Sequence, residues 1–300
     1  MNILVSGLIN IETTLQVDRF PVEYFPVRYP FFGVHTTVSG VGFNIARALS
    51  VLGDQARFIT IIGSDPAGVL VKESLQANGI DQRYVINSAQ ETAQSVILFD
   101  SHGKRQIHVD LKDIQEISYP QDLFDQASKE CALAVLSNIN FSRPFLQTSR
   151  LAGIPVATDI HAISSLDDDY NRDFMASANI LFMSDELLPC SPEEWARHVV
   201  NRYGTEILVI GLGAQGALLS VKLDGYIGTF PAQYTRPVIN TIGAGDALFS
   251  CFVHDYARTK DPYTALKRAI TFASWKIGEK GAAEGFLSDK ELDRVLESQE

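Results

Sequence analysis

The chain is poor in cysteine. Cys131, Cys190 and Cys251 are the only three in 300 residues, and no two of them have the spacing of metal ligands or of a redox pair. Zinc modules and disulfide frameworks are excluded, and the three thiols read as buried small apolar side chains in a reducing compartment. Long apolar runs are missing as well. Nothing approaches the ~20 residues that a membrane-spanning helix needs. A secretory leader would open on basic residues and a longer apolar stretch, whereas Asn2-Ile3-Leu4-Val5-Ser6-Gly7 reads as a buried strand from the outset. The expectation is a cytoplasmic protein with no membrane partner. Basic clusters are also absent. The formal net charge is −11, and no basic run is longer than Lys104-Arg105 or Lys267-Arg268, which excludes nucleic acid as a partner. A small anionic ligand stays open, because backbone amides and helix N-termini bind phosphate without net positive charge. Finally there is no Gly-x-x-x-x-Gly-Lys-Ser/Thr, so the chain is not a Walker-type nucleotide binder, and neither a repeat nor a low-complexity segment is seen.

What is present is ordinary globular composition, with 46% hydrophobic and 20% charged residues, so disorder is expected only in the polar C-terminal tail. The length suits a single large α/β domain over 1–300. Short β-branched runs alternate with helical patterns. Strands are expected at 3–7, 56–63, 132–136, 155–159, 180–183 and 206–211, and helices at 42–52, 67–78, 244–258 and 262–278. This alternation predicts a mostly parallel sheet with helices on both faces. Two stretches break the rhythm. Residues 11–38 carry β-formers among Pro21, Pro26 and Pro30, and 92–110 read as a hairpin turning at Asp100-Ser101-His102-Gly103. Together they suggest a small sheet that lids a strand-end cleft.

Two glycine-rich segments invite a phosphate reading. Gly211-Leu212-Gly213-Ala214-Gln215-Gly216 matches the dinucleotide fingerprint literally. A second strand pattern, 217–221, follows where the fingerprint needs a helix, and Arg236 stands where an acid is needed, so a dinucleotide-dependent oxidoreductase is disfavoured. A hairpin turn that lets a ligand approach the backbone fits better. The stronger segment is Asn240-Thr241-Ile242-Gly243-Ala244-Gly245-Asp246-Ala247, which opens a helix. Small residues there expose amides at a helix N-terminus and form an anion hole. Asp246 in the first helical turn suits either a general base for an attacking hydroxyl or a helix cap, and the spacing does not choose. Ser39-Gly40-Val41-Gly42-Phe43-Asn44 can likewise present amides to a polyhydroxylated ligand, or be a tight turn with Asn44 as cap.

Together these residues resemble the ribokinase-like (PfkB) carbohydrate kinase family. Thr241-Ile242-Gly243-Ala244-Gly245-Asp246 is similar to its C-terminal signature, and 40–53 to its N-terminal one; order and spacing agree from Gly7 to Gly281. The resemblance implies a three-layer α/β sandwich with a β-sheet lid, and ATP with Mg²⁺ in transfer to a hydroxymethyl group. It makes Asp246 the base and Gly243, Ala244 and Gly245 the anion hole. It places Asn10, Glu12, Gly40, Gly42, Asn44 and Asn140 at the acceptor, and Ser184, Gly213, Gly216, Thr241, Lys280 and Gly281 at the nucleotide. Asp185 or Glu186 would stand in for the family's Asn-x-x-Glu motif near Mg²⁺. Some positions depart from the pattern. Glu12 replaces the usual Asp, Ser39 a glycine, and Asn240 the Asp before the signature Thr, which leaves a monovalent-cation requirement open. Local similarity to pseudouridine kinases, in 40–44, 138–142 and 238–240, tilts the acceptor toward a ribonucleoside ahead of a free sugar. Phe25, Phe31, Phe32 and Phe43 are expected to fill the core rather than stack on a base. A homodimer paired through the lid is the expected assembly, and a ligand-binding relative without turnover is the alternative to an active kinase.

Overall fold

The computed structural model describes residues 1–101 and 104–298. The chain runs through β1 (Asn2–Ser6), β2 (Asn10–Gln16), β3 (Val34–Ser39), α1 (Val41–Val51), β4 (Gln55–Gly63), α2 (Pro66–Ala77), β5 (Val85–Ala89), β6 (Gln94–Phe99) and β7 (Arg105–Asp110). It continues as α3 (Gln121–Ser128), β8 (Leu133–Leu136), α4 (Pro144–Leu151), β9 (Val156–Asp159), α5 (Arg172–Ser177), β10 (Ile180–Ser184), α6 (Pro192–Tyr203) and β11 (Ile207–Gly211). The last elements are β12 (Ala217–Val221), β13 (Tyr226–Phe230), α7 (Ala244–Thr259), α8 (Pro262–Lys276) and α9 (Asp289–Glu297).

A nine-stranded sheet has the order β13-β12-β11-β10-β9-β8-β1-β4-β5. Its pairs are parallel except β11–β12 and β12–β13. Because the central strands are buried on both faces, they read as continuous apolar runs. Ile3 and Val5 point to a layer with α1, α7 and α8, while Leu4 points to a layer with α3 to α6. Each fully buried Ile, Leu or Phe contributes about 1.5–3 kcal/mol, so these two layers supply most of the driving force. Local signals set the helix starts. Asp65, Ser191 and Asp261 each accept a first-turn amide, and each is followed by proline at the first helical position.

Four strands form a separate sheet in the order β3-β2-β6-β7, with β2 and β6 parallel. This is the small sheet expected from 11–38 and 92–110. Of the turn expected at Asp100-Ser101-His102-Gly103, His102 and Gly103 lie outside the described residues. The Gly211–Gly216 segment is a hairpin turn between antiparallel β11 and β12, with a short 3-10 turn at Gly213–Gln215, and no dinucleotide helix follows it.

Three expectations need correction. The C-terminal tail is ordered as α9 because Ser288 and Glu291 form a reciprocal capping box and Leu292 is buried. Phe43 fills the core, but Phe25, Phe31 and Phe32 are exposed at 65%, 85% and 104%, because the 17–33 connection leaves the lid sheet rather than entering the sandwich. Of the thiols only Cys251 is fully buried; Cys131 and Cys190 are half-buried. Among the described residues no helix is long and apolar enough to cross a membrane.

Candidate active site

The direction of strand addition reverses at β1, which lies between β8 and β4. In open α/β sheets such a switch point leaves a crevice at the carboxyl ends of the strands. Here α1 enters it. A Cβ on Gly42 would lie 2.5 Å from the Gly7 carbonyl carbon, so glycine is what allows the first turn of α1 to rest on the end of β1. The N-cap of α1 is Gly40, with no side-chain cap, so Asn44 is not a helix cap. Its buried amide is used elsewhere: Oδ1 accepts from Ser39 Oγ at 3.3 Å, and Nδ2 donates to Asp246 Oδ2 at 2.7 Å.

Asp246 sits in the first turn of α7, whose N-cap is Gly243 in the left-handed region (φ 76°). A Cβ at Gly243 would come within 2.5 Å of the Ala282 carbonyl, which excludes other residues twice over. The amides of Gly245 and Asp246 have no acceptor inside the helix, and the helix dipole adds positive potential there. In front of Gly245 the space is open, since a Cβ there would meet nothing within 4 Å. Thus Asp246 lies beside an anion cradle made by its own loop. Desolvation pushes the Asp246 carboxyl above the usual Asp range; the Asn44 amide and nearby His161 oppose this, Asp159 adds to it, and Lys276 opposes it.

The lid supplies the other wall. Asn10 and Glu12 of β2 face inward and are buried, as are Ser95 and Ile97 of β6. Asn10 Nδ2 donates to Ser95 Oγ at 2.9 Å. Two buried acceptors, Asn10 Oδ1 and Glu12 Oε1, have no hydrogen-bond partner among the described residues. Leaving such atoms unpaired costs free energy, so they point to a ligand with hydroxyl donors. Burial raises the Glu12 carboxyl, a Ser39 hydrogen bond opposes it, and Asp246 raises it further while Lys276 counters. Ile97 packs on Ile242 and Ala282, so the lid rests on the signature loop. Arg105 at the start of β7 donates to the Thr241 carbonyl at 3.3 Å and lies 3.9 Å from Glu186.

The remaining expected residues divide. Ser184 ends β10, where its amide donates to the His161 carbonyl at 2.6 Å and its Oγ accepts from the Glu186 amide at 3.3 Å. Asp185 and Glu186 are exposed beyond it. Gly213 and Gly216 lie in the turn after β11, at the same sheet end. Asn240 Nδ2 donates to the Lys280 carbonyl at 2.5 Å, which ties the signature loop to the 280–281 segment. None of the hydrogen bonds described for Asn140 joins it to this cluster. Its amide groups are committed to Gln115, and its Oδ1 accepts from Arg143 at 3.4 Å. Reading by motif missed Lys276, His161, Asp159 and Arg105. The signal for Lys276 was a lone lysine on the buried face of the α8 pattern. Asp159 and His161 were marked by their place at a strand's carboxyl end.

The pfkB family carbohydrate kinase profile matches residues 1–289. The chain belongs to the pfkB family. An ATP-dependent ribose-1-phosphate kinase of Halopiger xanaduensis is 25% identical over 295 residues, covering 96% of each chain. A microbiome-derived acarbose kinase superposes with a TM-score of 0.87 at 23% identity over 98% of both chains. A Burkholderia thailandensis nucleoside kinase in complex with inosine superposes with a TM-score of 0.79 at 20% identity, over 99% of this chain and 98% of that one. At these identities the two superpositions establish a shared fold. Membership makes this protein a carbohydrate kinase of the pfkB type.

Proposed function

We propose that this pfkB kinase phosphorylates the hydroxymethyl group of a ribosyl compound, a ribonucleoside ahead of a free sugar, with Asp246 as general base. The observation that carries the reading is that Asn44 binds Asp246 in the helical turn opened by Gly243–Gly245, while buried Asn10 and Glu12 of the lid leave unpaired oxygens. The orphan oxygens of Asn10 and Glu12 accept from ring hydroxyls. Ile107 and Val109 share the inner face of the lid with Ile97 and are half-exposed, which offers an apolar wall to a base or sugar ring. Similarity to a ribose-1-phosphate kinase and a nucleoside kinase supports a ribosyl acceptor.

The attacking alcohol loses its proton to Asp246 as the phosphoryl group arrives. Transfer of this kind runs through a loose transition state, so positioning outweighs basicity. Asn44 holds one carboxylate oxygen of Asp246 and leaves the other for the hydroxyl. The amides of Gly243, Gly245 and Asp246 face charge on the transferred group, while the turn at Gly213–Gly216 and the 280–281 segment flank the nucleotide. The open space at Gly245 and the unused first-turn amides fit a triphosphate. The exposed carboxylates of Asp185 and Glu186 are the residues that would hold Mg²⁺, which would supply neutralising charge to the phosphates. The lid excludes water from the acceptor. Tyr24, Phe25, Tyr29, Phe31 and Phe32 are exposed in the connection between lid strands β2 and β3, and we assign this segment to pairing of two copies. Cytoplasmic placement belongs to the same proposal.

A coupled ATPase assay with a panel of ribonucleosides, pseudouridine, ribose and ketohexoses tests the reading, alongside melting curves with ATP and Mg²⁺. Acceptor-dependent ADP release and a raised melting temperature are expected. Stabilisation by ATP with no turnover on any member would instead identify a ligand-binding relative.

A further inference from the structure

Lys276, the last residue of α8, is fully buried. Burial of an ammonium is costly, and it usually comes with a contact ion pair. Among the described residues Lys276 has none within 4 Å. Its Nζ donates instead to the backbone carbonyl of Ile242. That carbonyl belongs to the peptide joining Ile242 to Gly243, the N-cap of α7. In a planar trans peptide the C=O and N–H point in opposite directions. An ammonium that holds the Ile242 oxygen toward α8 therefore turns the Gly243 N–H away from Lys276. Asn240 braces the same loop: its Oδ1 accepts from the Ile242 amide at 2.9 Å and its Nδ2 reaches Lys280. The carboxylates facing Lys276 are Asp246 from α7, Glu12 from β2, and Glu284 and Glu279 from the segment after α8.

We propose that Lys276 is the positioning residue of the anion cradle: its buried ammonium orients the Gly243 amide toward the transferred phosphoryl group. The inference rests on the kinase reading above and deepens it. Burial brings the Lys276 ammonium down to about 8, with Asp246 and Glu12 the main groups holding it up. Wild-type kcat therefore declines on the alkaline side as this charge is lost.

Lys276→Met keeps the volume and removes the charge, and Lys276→Gln keeps an N–H for the Ile242 carbonyl without charge. Removing one preorganised donor costs roughly 10²–10³ in kcat, and that loss is expected for Lys276→Met, with KM for acceptor changed less than about threefold. Its acid limb should move to higher pH, since Asp246 loses a stabilising cation, and its alkaline limb should vanish. Lys276→Gln should recover part of kcat yet also lack the alkaline limb. Independently of turnover, calorimetry should show weaker binding of a non-hydrolysable ATP analogue to Lys276→Met and unchanged binding of AMP. A wild type that binds the analogue but phosphorylates nothing refutes the kinase reading, and the binding comparison then decides Lys276 alone. Near-normal kcat and analogue affinity in folded Lys276→Met would overturn the proposal. If neither variant folds, a flat wild-type kcat from pH 7 to 10 overturns it as well.

Discussion

The side-chain amide of Asn44 donates to the carboxylate of Asp246 at 2.7 Å, although 202 positions separate them in the chain. The bond joins the first turn of α1 to the first turn of α7. It makes the two glycine-rich segments of the sequence one site.

Asn44→Ala should therefore affect the acceptor and the base, not the nucleotide. A lost partner for a buried hydroxyl costs about 1–3 kcal/mol, so acceptor KM should rise at least severalfold while ATP affinity stays within about twofold. The acid limb of kcat should also move up, because Asn44 is the leading group that favours ionised Asp246. Steady-state kinetics against each substrate checks this. Equal losses for both substrates would reduce Asn44 to a scaffold residue.

Glu12 makes a prediction about stability. Its folded carboxyl is held above the ordinary value of 4.5 by burial. The folded state then binds more protons than the unfolded one, so this residue's contribution is full below about pH 4.5 and is lost as pH rises through the folded value. Glu12→Gln mimics the protonated form. Its melting temperature should exceed wild type at pH 7.5 and converge on it near pH 4, as read by thermal denaturation across pH. A variant less stable at pH 7.5 would show that Glu12 is satisfied as a carboxylate.

The lid rests on the signature loop through Ile97 against Ile242 and Ala282. Ile97→Ser removes that apolar contact while leaving the β2–β6 pairing in place. Water should then reach the phosphoryl group, and the ratio of ATP hydrolysis to acceptor phosphorylation should rise several-fold or more. Parallel measurement of ADP and phosphorylated product gives the ratio. An unchanged ratio in folded protein removes the lid from the mechanism.

The parallel sheet was legible in the sequence because its strands are buried on both faces and so appear as β-branched runs between helical patterns. Edge strands β5 and β13 were not, since half-exposed Val85-Ile86 and Tyr226-Ile227-Gly228 carry no such run. The helix over 289–297 was missed because its mean composition is polar; the Ser288-x-x-Glu291 box was the available signal. In the site, the backbone parts were readable, as glycine spacing reports where amides approach a ligand. Side chains from distant elements were not. A buried helix face marks Lys276 and a strand end marks His161, but nothing local pairs either with Asp246, or Arg105 with Thr241, because topology alone brings α8, β7 and the end of β9 to one crevice. The exposure of Phe31 and Phe32 was equally hidden, since hydrophobicity does not say whether a loop folds inward.

The most direct test is kcat of Asp246→Asn. Asparagine keeps the shape and the contact with Asn44 but cannot take the hydroxyl proton. The account predicts a loss of roughly 10²–10⁴ in kcat, the range of a positioned base, with ATP affinity unchanged or improved as a negative charge leaves the cradle. Melting temperature should stay near or above wild type, because the carboxylate is partly desolvated and makes no helix cap. Turnover within a few-fold of wild type would contradict the assignment of Asp246 as base.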